Sequence, residues 1–299
     1  MKIKENDMKP LQGKVAVVAG ATRGAGRGIA MMLGEAGATV YVTGRSTKGN
    51  LSSMGRTETI EETAELVTKQ GGTGIVVRVD HTVEEDVKAL FAKIQDEQNG
   101  QLDILVNDVW GGDPLTEWGK MFWEHDLHNG LLMQQRAVHS HMLTSYYGVP
   151  LMVKNKKGLV IEITDGVDYK YRGNLYYSLA KVSTIHLAEA MAKDLGKDNI
   201  TAVAVSPGFL RSEAMLDIFG VTEENWQEGA KTDPHFIASE TPFFIGRAIA
   251  ALASDPNVHE KTGRALSSWE LGREYGFTDV DGRRPDWGKY FEENGLNQN

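Results

Sequence analysis

The sequence predicts a doubly wound α/β fold, a parallel sheet of about seven strands with helices on both faces, and three observations carry that expectation. Apolar runs rich in Val and Ile recur along the chain: KVAVVA from Lys14, TVYVT from Thr39, GIVVRV from Gly74, DILVN from Asp103, LVIEI from Leu159, ITAVAV from Ile200 and GRALS from Gly263. Runs this continuous suit strands buried on both faces, as in parallel sheets. Helical stretches lie between them; Val83, Val87, Leu90, Phe91 and Ile94 fall on one helical stripe. Finally, the first run passes directly into a glycine-rich turn, AGATRGAGRGIA, at residues 19–30. Strand and helix in alternation, opened by such a turn, is the pattern of an open parallel sheet that binds its ligand at the carboxyl ends of the strands.

Length and composition set the frame. With 299 residues and 41% hydrophobic content, the chain reads as one domain over residues 1–299, with polar peripheral tails at 1–10 and about 285–299. A net charge of -9 without clustered Lys and Arg argues against a nucleic-acid partner, and KNKK at 154–157 reads as a solvated loop. The absence of Cys excludes disulfides and thiolate metal sites. No apolar run approaches the roughly 18–20 residues of a membrane span, and MKIKENDMKP lacks the apolar core of a signal peptide, so a cytoplasmic location is expected. Long irregular stretches fall at 46–58, from Gly111, and at 207–245. The last would suit a flap over the site, with Phe209, Leu210, Met215, Leu216, Phe219, Trp226 and Phe236 lining an apolar pocket or forming core.

In the glycine turn the spacing is GxxxGxG, from Gly20 to Gly24 to Gly26, followed by Gly28. Gly20 would permit the tight turn, Gly24 and Gly26 the close approach of backbone to a pyrophosphate, and Gly28 the packing of helix on sheet. Farther on, YYSLAK places Tyr177 and Lys181 four residues apart, on one face of a helix. An ammonium there is expected to lower the tyrosine pKa and so let the phenol pass a proton to or from a carbonyl oxygen. Tyr176 faces elsewhere and reads as packing. His125 and His128, beside Glu124 and Asp126, read as surface histidines, and no metal site is expected.

GxxxGxG, DILVN at 103, YxxxK at 177 and SPGFLRS at 206, in this order and spacing, resemble the short-chain dehydrogenase/reductase family over about residues 11–275. A finer likeness, to the dehydrogenase/reductase member 1 subgroup, is carried by FWE at 122, YG at 147 and LMV at 151. The resemblance implies a Rossmann-type fold whose turn, with Gly20, Thr22, Arg23, Gly24 and Gly26, cradles a nicotinamide dinucleotide. It makes Tyr177 the general acid or base and assigns Lys181 to the nicotinamide ribose. It places Asp80 at the adenine, Asn107 beside the adenosine ribose, and Pro207, Gly208 and Ser212 at the nicotinamide amide. Members usually form homodimers or homotetramers. At the end of the second strand, Gly44 stands where NAD users commonly carry an acid, and Arg45 follows, with Arg23 in the turn. Guanidinium groups bind phosphate through paired hydrogen bonds, so NADP is expected in preference to NAD.

The sequence also departs from the family's pattern. Asp165 occupies the place of the catalytic Ser, and a carboxylate accepts hydrogen bonds without donating any. Thr164, one residue earlier, would point to the opposite face of a regular strand. NDVWGG brings Asp108 and Trp110 where small residues are usual, and the place of the relay Asn falls near Ala137, with Gln134, His139 or His141 as substitutes. Two readings follow. One is an NADP-dependent oxidoreductase transferring a hydride between nicotinamide and a small carbonyl or alcohol substrate; the other is a catalytically degenerate dinucleotide-binding sensor or scaffold.

Overall fold

The computed structural model describes residues 9–52 and 55–296. Residues 1–8 of the expected amino-terminal tail, Ser53 and Met54 of the polar loop, and residues 297–299 lie outside the described residues. Seven parallel strands form one sheet: β1 (Val15–Ala19), β2 (Thr39–Gly44), β3 (Thr73–Arg78), β4 (Ile104–Asn107), β5 (Gly158–Ile163), β6 (Ile200–Ser206) and β7 (Ala265–Ser267). Their order is β3-β2-β1-β4-β5-β6-β7. The order reverses between β1 and β4, which opens a crevice at the carboxyl ends of these two strands.

Successive strand residues point to opposite faces, and each face has its own core. On one, Ala16, Val18, Val42 and Val106 meet Ile29 and Leu33 of α1 (Gly24–Glu35) and Ile245 and Ile249 of α8 (Pro242–Ser254). On the other, Val17, Tyr41, Leu105 and Val160 meet Val87, Leu90, Phe91 and Ile94 of α3 (Glu84–Glu97). Val83 alone of the expected stripe stays outside: it is the residue before the helix and 40% exposed. Strand β3 also departs from expectation, because as the outermost strand it is only partly covered. Helices α2 (Ile60–Lys69), α4 (Leu127–Gln134), α5 (Ser140–Asn155), α6 (Leu175–Leu195), α7 (Glu213–Phe219) and α9 (Ser268–Tyr275) complete the layers.

One peripheral segment differs from the sequence reading, and the flap takes one of the two forms that reading left open. Where a loose tail is expected, residues Trp287–Glu293 form a helix, α10, capped by Asp286. Trp287 stacks on Tyr290 at 5.7 Å and sets its edge against Phe209, so aromatic burial ties this segment to the flap. Within the flap, Phe209, Phe219, Trp226 and Phe236 pack on one another, and Trp226 and Phe236 are buried; they form a small core rather than a pocket wall. Among the described residues, no helix is long and apolar enough to cross a membrane.

Candidate active site

Every expected site residue except Lys181 sits in, or within a few residues of, a loop that leaves the carboxyl end of a strand. The chain turns after β1 at Gly20, where φ is 90° and a Cβ would lie 2.6 Å from the Asp108 carbonyl oxygen. At Gly26 a Cβ would lie 2.3 Å from the Gly20 carbonyl oxygen, so the turn closes only without side chains at these positions. Gly28 serves a different contact from the one expected: its missing Cβ admits the Pro242 carbonyl of α8, not the sheet.

Helix α1 has no side-chain cap and no acid in its first turn, which leaves its leading N–H groups for an anion. Carboxylates of the chain itself take them. Glu213 accepts from the Gly24 N–H at 2.8 Å, and Asp108 accepts from the Gly26 N–H. These two anions stand in for phosphate oxygens and show that the donor set suits a pyrophosphate. Burial pushes the Asp108 carboxyl up to about 7, against the pull of the Lys181 charge. Thr22 is buried beside the turn, and a Cβ on Gly44 would lie 2.5 Å from its hydroxyl oxygen. An acidic side chain at position 44 therefore has no room in this packing.

At the end of β2, Arg45 lies 3.6 Å from Asp80, whose carboxylate also accepts from the backbone and hydroxyl of Thr82. Arg23 reaches Ser46 at 3.4 Å and Glu58 at 3.4 Å, and burial lowers its pKa. Asn107, expected beside the adenosine ribose, turns its carboxamide inward to Glu162 at 2.7 Å and Ser145 at 2.9 Å. Glu162 is fully buried in β5 and meets His141 at 2.6 Å, whose other ring nitrogen faces the Val109 carbonyl. Sequence reasoning missed this polar cluster; the acid inside the apolar run LVIEI was its one visible signal.

Asn174 caps α6 by accepting from the Tyr177 N–H, which fixes the first turn that carries the tyrosine. The Tyr177 hydroxyl donates to Asp165 at 2.8 Å. Trp110 sets its ring edge against Tyr177 at 5.3 Å, Trp118 packs from another side at 5.3 Å, and the Lys181 ammonium lies 4.0 Å from the Trp110 ring centroid. The tyrosine pKa runs opposite to the sequence expectation. Burial first, then the charge of Asp165 and the hydrogen bond it accepts, push Tyr177 well above its usual value. Burial also lowers Lys181, opposed by Asp165, Asp108 and Asp113. Thr164 faces away from Tyr177, donating to the Lys181 carbonyl at 2.7 Å.

Of the relay substitutes, Gln134 donates to the Tyr176 carbonyl at 2.8 Å, and His141 belongs to the Glu162 cluster. Ala137 lies in a π-helical turn, Gln135–His139. Tyr176 packs against His125 and Gly130, in keeping with a packing role. His125 is not a surface histidine: its side chain is 3% exposed and meets the Lys120 carbonyl and Asn174. Among the described residues, no group of three His, Asp or Glu is placed to hold a metal. Pro207 follows β6, Gly208 donates its N–H to Glu240 at 3.0 Å, and Ser212 caps α7 beside Gly24.

A seven-stranded parallel sheet, an anion-binding glycine turn at its switch point and a tyrosine-lysine pair beside that turn define a Rossmann-type, nicotinamide-dependent oxidoreductase. The chain belongs to the short chain dehydrogenase family, which it matches over residues 14–219. Mouse dehydrogenase/reductase SDR family member 1 is 35% identical over 278 residues, 92% of this chain and 85% of that protein. The 3-oxoacyl-acyl-carrier-protein reductase of Aquifex aeolicus is 30% identical over 85% of this chain and 98% of its own. A short chain dehydrogenase structure from Mycobacterium thermoresistibile superposes with a TM-score of 0.76 at 22% identity, covering 93% of this chain and 92% of that one.

Proposed function

We propose that the protein is an NADP-dependent oxidoreductase that moves a hydride between nicotinamide and a carbonyl or alcohol carbon of a small molecule, with Tyr177 handling the proton. The observation that carries this reading is the cluster of Tyr177, Lys181, Trp110 and Asp108, in which the Asp108 carboxylate also reaches the glycine turn. Phosphate seat and proton donor thus share one crevice.

A bound nicotinamide dinucleotide supplies or accepts the hydride. The chain's own groups do the rest. Tyr177 is held protonated at neutral pH, so in reduction it arrives as an acid and gives its proton to the substrate oxygen. To do so its hydroxyl leaves Asp165, which then accepts a hydrogen bond from a hydroxyl or amine of the substrate. Lys181 leaves the Trp110 face for the nicotinamide ribose. Arg23 and Arg45 favour the 2′-phosphate of NADP, and Gly44 leaves no room for the acid that would oppose it. A second copy of the chain is expected to cover the exposed Leu127, Leu131, Met142 and Tyr146 of α4 and α5.

The test is calorimetric titration of nucleotide-free protein with NADPH and with NADH, followed by a screen of carbonyl compounds. Tight NADPH binding, weak NADH binding and turnover of at least one carbonyl are expected; failure to bind either nucleotide would overturn the reading. The alternative, a sensor or scaffold that binds dinucleotide without turnover, is favoured by the hydrogen bond that ties the Tyr177 proton to Asp165. It predicts binding with no oxidation of NADPH by any substrate.

A further inference from the structure

The groups expected to meet the phosphates of a dinucleotide are already paired with carboxylates of the chain. On Gly24 the partner is Glu213, the first residue of α7, whose other oxygen lies 3.9 Å from Arg27 Nε. A carboxylate so placed lies at the positive ends of two helices, α1 and α7, at once. On the arginine side the partner is Glu58. Arg56 grips it through Nε at 3.0 Å and Nη2 at 2.5 Å, and Arg23 Nε stands 3.4 Å from it. That Arg23 Nε is buried and makes no hydrogen bond, so Glu58 is near enough to neutralise it without satisfying its donor. Arg56 also holds Asp217 of α7 at 2.8 Å, which ties the polar loop to the flap.

We propose that Glu213 and Glu58 are built-in competitors of the dinucleotide, Glu213 for its pyrophosphate and Glu58 for its 2′-phosphate, so that the nucleotide enters by displacing them. The inference rests on the dinucleotide reading above and adds residues that reading does not use: Glu213, Glu58 and Arg56. Its physical basis is like-charge exclusion. A phosphate brought to the Gly24 N–H meets the Glu213 carboxylate on the same donor, and one of the two must leave. When Glu213 leaves, α7 loses its tie to the glycine turn and stays attached through Asp217 and Arg56. When Glu58 leaves, Arg56 and Arg23 are both freed for phosphate, which makes Arg56 a third guanidinium of the 2′-phosphate seat.

The two carboxylates predict different signatures. Pyrophosphate is common to both nucleotides, so Glu213→Gln tightens NADPH and NADH alike, each by about tenfold. The 2′-phosphate belongs to NADPH alone, so Glu58→Gln tightens NADPH and leaves NADH unchanged. Calorimetric titrations of the full-length wild type and both variants read this directly, with Glu213→Ala and Glu58→Ala run in parallel and thermal melts showing which variants fold. Looser NADPH binding in the folded Glu213 variants, or equal tightening of both nucleotides in the Glu58 variants, would overturn the inference while leaving the oxidoreductase reading intact. If neither the wild type nor any folded variant bound either nucleotide, the dinucleotide reading would fail and take this inference with it.

Discussion

Tyr177 and Asp165 share a 2.8 Å hydrogen bond in which the phenol is the donor and the carboxylate the acceptor. The pair joins the loop after β5 to the first turn of α6. A serine at position 165 could donate to a substrate oxygen, whereas the aspartate claims the tyrosine proton and adds a negative charge beside it. Under the proposed function, proton transfer by Tyr177 starts from this bonded pair.

Removing that charge should shift the tyrosine. In Asp165→Asn the burial of Tyr177 remains but the neighbouring charge is lost, so its pKa falls toward the ordinary tyrosine value. Ultraviolet difference titration, corrected with Tyr177→Phe, measures it. Asp165→Ser should also change substrate preference and leave NADPH affinity nearly intact; collapse of cofactor binding would place Asp165 on the wrong side of the site.

Asp108 links nucleotide affinity to pH. Its carboxyl is raised to about 7, and a phosphate arriving at the glycine turn favours the protonated form further. NADPH affinity is thus expected to rise as pH falls from 8 to 6, by at most about tenfold per unit, and to level off below. Asp108→Asn should flatten this profile in a titration series at several pH values. A pH-independent wild type would remove Asp108 from the phosphate seat.

Glu240 links stability to pH. Burial raises it to about 8, and only one of its oxygens is bonded, accepting from Gly208 and Ser268, while Oε1 has no partner. Its folded pKa lies above the unfolded value of about 4.3, so the folded state holds the extra proton between them. Stability is then full below about pH 4.3 and declines as pH rises through about 8, by an amount on the order of a few kcal/mol. Thermal melts should show Glu240→Gln with a shallower decline and a higher Tm than wild type at pH 9.

Trp287 tests the carboxyl-terminal helix. It packs on Phe209 and Tyr290 and covers Gly208, whose Cβ would lie 2.7 Å from its own. Trp287→Ala should cost about 2 kcal/mol, less than the ~3–5 kcal/mol of a fully buried aromatic because the residue is only partly buried. A denaturant melt with no loss of stability would return this segment to the status of a loose tail.

Local periodicity made much of this legible. The apolar runs marked all seven strands because each is a short stretch whose neighbours in sequence are its neighbours in the strand. Gly20, Gly24 and Gly26 signalled an anion seat because a turn and a helix start are local structures. Tyr177 and Lys181 were readable because four residues make one helical turn. Asp165 was legible as a departure from the pattern, but not as the acceptor of the Tyr177 proton.

The rest depends on partners far apart in the chain. Glu213 reaches Gly24 across 189 residues, and Glu162 meets Asn107 across 55, distances over which no pattern of spacing carries information. The tyrosine pKa went the same way: Lys181 is four residues off and visible in sequence, while the burial of Tyr177 beside Trp110 and Trp118, which raises its pKa, is not. The sequence by itself determined the sheet, the turn and the placing of Tyr177 and Lys181 on one helix face, because these follow from backbone geometry and side-chain spacing. Only the tertiary structure decided which charges face one another across the crevice, because electrostatic interaction and desolvation act through space and not along the chain.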